Sequence, residues 1–280
     1  MNDFFHMFTY QFILYALIVG ISISICAALL GTSLVLKKNS MISDGLSHVA
    51  FGACAIALAL NWAPMAFTIP IVIISSFFIL KLSKNNKIQG DALIAIIASA
   101  SLAIGYMVIN ISGANVDVEN YLYGSIFGIT KSELIISVIL SIIVILVFIF
   151  LYNKIFSITF DEDFFKSTGG KAELYNIIIS ILCSITVVLG MKIMGALLIT
   201  SLIIFPTISA RQISKTYKSV VINSEIISIL CFFIGIVLNY YIDDLPVGSS
   251  IVIVNLIVLI ILICIKKFKK LFYLKIKSIK

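Results

Sequence analysis

Long runs of apolar residues, separated by short polar segments, constrain this chain more than any other feature. A membrane-spanning helix needs about 20 predominantly apolar residues, and most of the runs approach or reach that length. Charged residues make up only 12% of the sequence and the mean hydropathy is +1.18, whereas about 25% of the residues in soluble domains are charged. The runs cover approximately residues 12–36, 46–61, 65–82, 92–111, 132–152, 174–191, 193–210, 220–242 and 249–265. The sequence therefore predicts an all-α, polytopic membrane protein with about eight or nine transmembrane or partly re-entrant helices.

Two of these runs are weaker than the others. The run at 46–61 is short for a bilayer crossing, and the run at 193–210 is interrupted by Gly195 and Pro206. Glycine and proline at membrane depth are typical of discontinuous or re-entrant helices that line a cavity. Whether these two runs cross fully therefore stays open at the level of sequence.

The placement of basic residues predicts the orientation of the chain. If the N-terminus lies outside and every run crosses, eighteen of the twenty basic residues fall on inner segments, and only Lys131 and Lys192 lie outside. Seven of the inner lysines belong to the tail 266–280. This asymmetry follows the positive-inside rule, so we expect an outer N-terminus and a cytoplasmic C-terminus. The basic tail indicates a lipid headgroup surface and no nucleic-acid partner.

The chain carries no sequence signal for an energy source of its own. It has no GxxxxGK[ST] phosphate loop, and its connecting segments are too short for a folded extramembrane domain. We therefore interpret residues 1–280 as a single transmembrane domain that is energised, if at all, by another chain. An enzyme would need more converging His, Asp, Glu or Ser residues than this sequence offers, so we predict no enzymatic activity. We also predict no permanently bound cofactor.

The most informative polar segment is 43–48 (SDGLSH), between the first two runs. On a helix, Asp44 and His48 lie one turn apart on the same face. A carboxylate with an imidazole suits Mn²⁺, Zn²⁺ or Fe²⁺ better than Ca²⁺ or Mg²⁺, and two ligands alone suit transit better than storage. The alternative is structural: Asp44 or Ser43 caps the helix, and His48 bonds a backbone carbonyl. The spacing is compatible with both alternatives. Ser47, between the two residues, either lines the metal pathway or is a structural polar residue.

A second polar segment, 160–170 (FDEDFFKSTGG), lies on a predicted inner loop. Acidic residues at its front (Asp161 and Glu162), apolar Phe164 and Phe165, and glycines at its end predict a short, capped amphipathic helix. Such a helix on the inner side docks into a groove of a partner protein or rests among the lipid headgroups. Both alternatives remain open from the residues alone.

Two further acidic residues, Asp91 and Glu225, lie in or beside apolar runs. Asp91 follows Gly90 at the start of a run, where an N-cap is the preferred interpretation. Glu225 lies several residues inside the eighth run, as a buried polar contact or as part of a pathway. If Asp44, Asp91 or Glu225 relayed protons, the chain would be an ion-coupled secondary transporter, which is the alternative function that we retain.

Four segments, in order along the chain, resemble the transmembrane permease subunits of bacterial ABC importers for zinc, manganese and iron(II). The first is 43–49 (SDGLSHV), which is similar to the small-Asp-x-x-Ser-His segment that follows the first helix of that family. The others are 120–126 (NYLYGSI), 160–164 (FDEDF) and 194–199 (MGALLI), the last followed by Pro206 and by Ala210-Arg211. Together these motifs extend over nearly the whole chain.

The resemblance implies a function and a set of partners. It implies a fold similar to that of vitamin B12 and siderophore importer permeases, in a bacterial cytoplasmic membrane. It implies that Asp44 and His48 coordinate a zinc, manganese or iron ion in transit, and that a coupling helix at about 161–169 transmits ATP-driven motion. The implied partners are a second permease chain, two cytoplasmic ABC ATPase subunits and an extracytoplasmic metal-binding protein.

Overall fold

The apolar runs form long helices, because a chain in lipid must satisfy its backbone hydrogen bonds within each segment. The computed structural model describes residues 9–83, 90–113, 124, 128–242 and 245–277. Within these residues, nine helices are long and apolar enough to cross a membrane, and a tenth, α6, is short. The helices are α1 (Gln11–Leu36), α2 (Met41–Ala59), α3 (Pro64–Ser83), α4 (Gly90–Ser112), α5 (Lys131–Phe160), α6 (Glu162–Ser167), α7 (Ala172–Met194), α8 (Ala196–Ile213), α9 (Tyr217–Tyr241) and α10 (Val247–Lys277). The predicted all-α polytopic fold is confirmed.

Three helices, α1, α2 and α7, form the buried centre of the bundle. Helix α1 packs against α5, α7, α8 and α9, while α2 packs against α3, α4 and α7. The peripheral helices α3, α4, α5 and α10 expose isoleucine, leucine and phenylalanine side chains on their outer faces. Exposed apolar faces of this extent suit contact with lipid.

The chain alternates between the two ends of the bundle with each crossing. One end of the bundle carries α6 and is called here the α6 end. The last residue before the α1–α2 turn, the end of α3 and the start of α7 also lie there. The basic residues Lys37, Lys81 and Lys154 all lie at this end. Segments that the charge pattern assigns to one side of the membrane therefore meet in space.

The weak run at 46–61 forms one helix, α2, whereas the run at 193–210 is divided at Gly195, because its first two residues end α7 and the rest belong to α8. Helix α2 has 19 residues and α8 has 18, which correspond to about 28 and 27 Å at 1.5 Å per residue. Both lengths are close to the thickness of the hydrocarbon core, about 30 Å. Pro206 lies within α8 without ending it, and the break falls at Gly195, whose φ of 88° lies in the left-handed region.

The three largest errors in the predicted boundaries lie at the start of α2 and at the ends of α5 and α10. Helix α2 begins at Met41 and not at residue 46, so that the whole SDGLSH segment is helical. Helix α5 continues to Phe160 and has 30 residues, and α10 continues to Lys277 through much of the basic tail. In each case hydropathy marks the apolar part of the helix, but backbone hydrogen bonding continues until a residue stops it. No proline or glycine follows residue 152 in α5 or residue 248 in α10.

Close packing of α2 against α4 depends on glycine. A Cβ atom placed on Gly52 would lie 2.6 Å from the backbone oxygen of Ser101, and one placed on Gly105 would lie 3.1 Å from Gly52 Cα. Small residues at such contacts let helix backbones approach closely, which provides much of the attraction between helices in lipid. The position of the Asp44 and His48 pair relative to α4 therefore depends on this contact.

We expect Gly52→Ala to destabilise the protein by about 1–3 kcal/mol, the usual cost of overpacking. The new methyl group meets α4 backbone, which cannot rotate away as a side chain can. A lower midpoint of thermal unfolding in detergent would show the effect. The control is Ala100→Val, which adds atoms to an exposed position of α4; equal midpoints for the two variants would contradict the prediction.

Candidate functional site

Asp44 and His48 lie on successive turns of α2, within its first eight residues, as their spacing predicts. His48 Nε2 is 3.8 Å from Asp44 Oδ2, which is too long for a direct hydrogen bond. With ligand distances near 2.1 Å, two ligands of one tetrahedral ion stand about 3.4 Å apart. A small closing movement of these two side chains would therefore allow both to bind one ion.

The pair lies on the one open stripe of an otherwise buried helix. Between residues 42 and 57, only Asp44, His48 and Ile56 are not buried, and their spacing of four and eight places them on one side of α2. The side chain of Asp44 is 43% exposed and that of His48 is 24% exposed. The two polar groups thus point out of the packed interior of the chain.

The structural alternative for this segment was that Asp44 or Ser43 caps the helix and that His48 bonds a backbone carbonyl. Both parts of it are wrong. The N-cap residue of α2 is Ser40, and no side chain makes a capping bond there. The Ser43 hydroxyl instead donates a hydrogen bond to the Ser40 carbonyl oxygen, at 2.9 Å. His48 bonds no backbone carbonyl: its Nδ1 is buried and has no hydrogen-bond partner in the part of the chain that the structure describes.

Ser47 is turned away from the open stripe. It is fully buried, and its hydroxyl donates to the Asp44 carbonyl oxygen at 2.7 Å. That geometry stabilises the turn between Asp44 and His48, which is a positioning role. Within the described residues, no third His, Cys, Asp or Glu joins the pair, so that one chain alone offers two ligands.

Asp91 and Glu225 lie on other elements. Asp91 is exposed in the first turn of α4, whose first helical residue is Gly90, so it is not the N-cap residue. Glu225 is half-buried on α9, a helix that packs mainly against α1, α8 and α10. Since α9 is not one of the main neighbours of α2, the structure does not group Glu225 with Asp44.

The 160–170 segment forms the short capped helix that its sequence predicts. Asp161 is the N-cap residue and accepts a hydrogen bond from the Phe164 backbone N–H at 2.8 Å. Gly169, with φ of 82°, ends the helix in the left-handed conformation that glycine adopts readily. The helix, α6, covers Glu162–Ser167, slightly shorter than the predicted 161–169.

Helix α6 has two distinct faces. Phe165 is buried against Ile158 and Ala172 and packs edge-on against the Tyr175 ring. Phe164 is 65% exposed, and the Asp163 side chain is 98% exposed. One face, called here the inner face, therefore anchors the helix to α5 and α7. The other, the outer face, is exposed.

Glu162 connects the inner face of α6 to the bundle. Its carboxylate lies 3.3 Å from Lys37 Nζ, accepts a hydrogen bond from Asn176 Nδ2 at 3.0 Å, and pairs with Lys166 at 2.9 Å. The hydrogen bond from Lys166 to Glu162 raises the pKa of the Lys166 ammonium above its ordinary value. Lys37 and Asn176 were not predicted from the sequence as functional, and no motif marks either of them.

At the opposite end of the bundle, two of the sequence motifs meet. Most of 120–126 lies outside the described residues, but Gly124 is described, with φ of 81°. A Cβ atom on Gly124 would lie 2.2 Å from the Met194 carbonyl carbon, at the junction between α7 and α8. Nearby, Lys192 of α7 and Glu133 of α5 form an ion pair at 2.7 Å. These contacts hold together the ends of α5 and α7 that lie away from the α6 end.

Comparisons with known proteins agree with these features. The model of the ABC 3 transport family matches residues 9–266. The chain is 32% identical over 239 residues to the high-affinity zinc uptake system membrane protein ZnuB of Haemophilus influenzae, with coverage of 85% of this chain and 91% of that protein. It is 26% identical over 256 residues to the manganese import system permease protein ScaB of Streptococcus gordonii, with coverage of 90% of each.

A solved structure shares the fold. The chain superposes on PsaBC from Streptococcus pneumoniae, solved in complex with Fab, with a TM-score of 0.84 and 23% identity, over 94% of this chain and 95% of that chain. An inward-facing putative metal-chelate type ABC transporter gives a TM-score of 0.71 at 14% identity, over 90% and 85% of the two chains. The helical arrangement described above is therefore shared with these two structures.

Proposed function

The chain belongs to the ABC 3 transport family, and from this premise we propose that it is the permease subunit of an importer for a divalent transition-metal ion. The proposed cargo is zinc or manganese, as named for the relatives in Haemophilus and Streptococcus, with iron as a further candidate. Transport into the cytoplasm is driven by ATP hydrolysis on a separate subunit. This chain is a transport subunit and has no enzymatic role.

The observation that carries the proposal is the Asp44 and His48 pair on the open stripe of α2. Carboxylate oxygen and imidazole nitrogen are ligands for Mn²⁺, Zn²⁺ and Fe²⁺. The pair is exposed to the surroundings of the single chain although the rest of α2 between residues 42 and 57 is buried, apart from Ile56. A pair of ionisable side chains on a membrane helix faces a water-filled path or a protein partner in preference to lipid.

The number of ligands supports a second copy of the chain. Two protein ligands bind a transition metal incompletely, since zinc sites commonly have three or four. A two-fold axis beside the open stripe of α2 would bring together two Asp44 and two His48 side chains around one ion. We therefore propose a homodimer with the cargo passing between the two copies of α2. Four ligands without a rigid cage allow the ion to leave as well as enter.

The partners follow from the two ends of the bundle. The exposed face of α6, with Asp163 and Phe164, is the proposed docking surface for the cytoplasmic ABC ATPase subunits. In this proposal the α6 end and the C-terminus lie in the cytoplasm and the N-terminus lies outside, the orientation that the basic residues of the predicted inner segments favour. The opposite end, where Gly124 contacts the α7–α8 junction, would then receive the metal from an extracytoplasmic binding protein. The membrane is the bacterial cytoplasmic membrane.

Uptake by a reconstituted complex tests the proposal. The complex of this chain with its ATPase subunits is placed in liposomes, and entry of Zn²⁺ or Mn²⁺ is measured with ATP and with a non-hydrolysable analogue. We expect uptake with ATP alone. Uptake that follows an ion gradient and persists without ATP hydrolysis would overturn the proposal in favour of a secondary transporter.

A further inference from the structure

Three side chains from three helices form a closed ring of polar contacts at the α6 end. Lys37 Nζ donates to Asn176 Oδ1 at 2.7 Å and lies 3.3 Å from Glu162 Oε2, and Asn176 Nδ2 donates to the same Glu162 oxygen at 3.0 Å. We call Lys37, Glu162 and Asn176 the inner clamp. It joins the end of α1 to the first residue of α6 and to the first turns of α7.

The clamp is set apart from the docking face by its burial. The Lys37 and Glu162 side chains are 13% and 26% exposed, whereas the neighbouring Asp163 side chain is 98% exposed. Partly buried charge pairs are screened less by salt and solvent than exposed ones. The contact between Lys37 and Glu162 is therefore weakened less by salt than a contact on the exposed face would be.

The turn that follows Lys37 is stiff. Lys38 has a φ of 62°, its N–H bonds the Val35 carbonyl at 3.1 Å, and the Asn39 N–H bonds the Leu34 carbonyl at 2.8 Å. These two bonds form a Schellman motif, which fixes the path of the chain after a helix. Because α2 begins at Met41, little flexible backbone separates Lys37 from the metal-binding pair on α2.

Helix α6 is fixed in the same manner at its own end. The Gly169 N–H bonds the Lys166 carbonyl at 3.0 Å, and the Gly170 N–H bonds the Phe165 carbonyl at 2.9 Å, which is a second Schellman motif. A cavity of about 400 Å³ adjoins the clamp and is lined in part by Asn39 and Ile42 of the α1–α2 turn. The stiff turn therefore has space into which it can shift.

We propose that the inner clamp carries movement of α6 to Asp44 and His48, so that ATP hydrolysis is linked to release of the metal. This inference rests on the proposed function, in which α6 meets the ATPase and the pair on α2 holds the cargo. Lys37, Glu162 and Asn176 act as positioning residues and do not touch the ion. Movement of α6 pulls Lys37, and the stiff turn passes the displacement to the first turns of α2.

The test measures metal uptake and ATP hydrolysis in the same liposomes, with the complete complex. Lys37→Met keeps the apolar stem and removes the charge, and Asn176→Ala removes the middle of the ring. For each variant we expect hydrolysis to continue while uptake per ATP falls about tenfold, a typical size for the coupling between two sites. Lys37→Arg, which can donate to both partners, should restore most of the uptake per ATP.

The matched control is Lys171→Met. Lys171 is another lysine near α6, but it is exposed at the N-cap position of α7, where its side chain makes no capping bond, so uptake per ATP should stay at the wild-type value. The clamp proposal is overturned if Lys37→Met and Asn176→Ala both keep the wild-type ratio, or if Lys171→Met lowers it equally. If the wild-type complex shows no ATP-driven uptake, the proposed function fails, and the clamp proposal with it.

Discussion

Asp44→Asn is expected to lower metal uptake by about 100-fold or more while the protein still assembles with its ATPase partners. The substitution keeps the size of the side chain but removes the negative oxygen that a divalent ion prefers. In a homodimer each substitution removes two of the four proposed ligands, and even outer partners of a metal site cost 10–100-fold when lost. Because Asp44 is 43% exposed and caps nothing, its charge is not required for folding. Uptake of radioactive Zn²⁺ or Mn²⁺ into proteoliposomes measures the effect.

The matched control for Asp44→Asn is Glu173→Gln. Glu173 is another exposed acidic residue in the first turn of a membrane helix, α7, near the α6 end. Its substitution removes the same charge without removing a proposed ligand, so uptake should stay near the wild-type rate. If Asp44→Asn transports metal as the control does, the pair on α2 is not on the pathway.

Much of the fold could be predicted because lipid imposes a simple requirement on the chain. Each crossing must be apolar and must satisfy its own backbone hydrogen bonds, so every apolar run corresponds to a helix. Hydropathy cannot locate a helix end that lies in water or in the headgroup region. The start of α2 was missed for this reason, since Ser43 and Asp44 are polar but fit in a first helical turn, where a carboxylate is favourable.

The candidate site could be predicted only where its residues are close in sequence. Asp44 and His48 share a face because four residues make about one turn, and Asp161 and Gly169 mark the two ends of α6 through capping. The inner clamp gives no such signal. Lys37 is 125 positions from Glu162 and 139 from Asn176, and only the packing of α1, α6 and α7 brings these side chains together.

Phe164→Ala should weaken binding of the ATPase subunits by about 30-fold, because a central aromatic residue of an interface commonly contributes about 2 kcal/mol or more. Phe164 is 65% exposed on the outer face of α6. The helix itself should survive, since the bond to Asp161 comes from the Phe164 backbone N–H, which alanine retains, and since Phe165 provides the anchor. Co-purification of the ATPase with the permease, and titration of one with the other in detergent, measure the loss.

The structure offers a close control for Phe164→Ala in Phe268 of α10, which is 72% exposed. Phe268→Ala removes the same ring from another helix whose Lys266 reaches Gln212 near the end of α8, the same end of the bundle as α6. ATPase binding should be unchanged in this variant. Equal loss in both variants would show that the effect reflects general exposure of aromatic side chains at that end. Loss in Phe164→Ala alone would place the ATPase on α6, where contact with the outer face can act through Glu162 on the inner face.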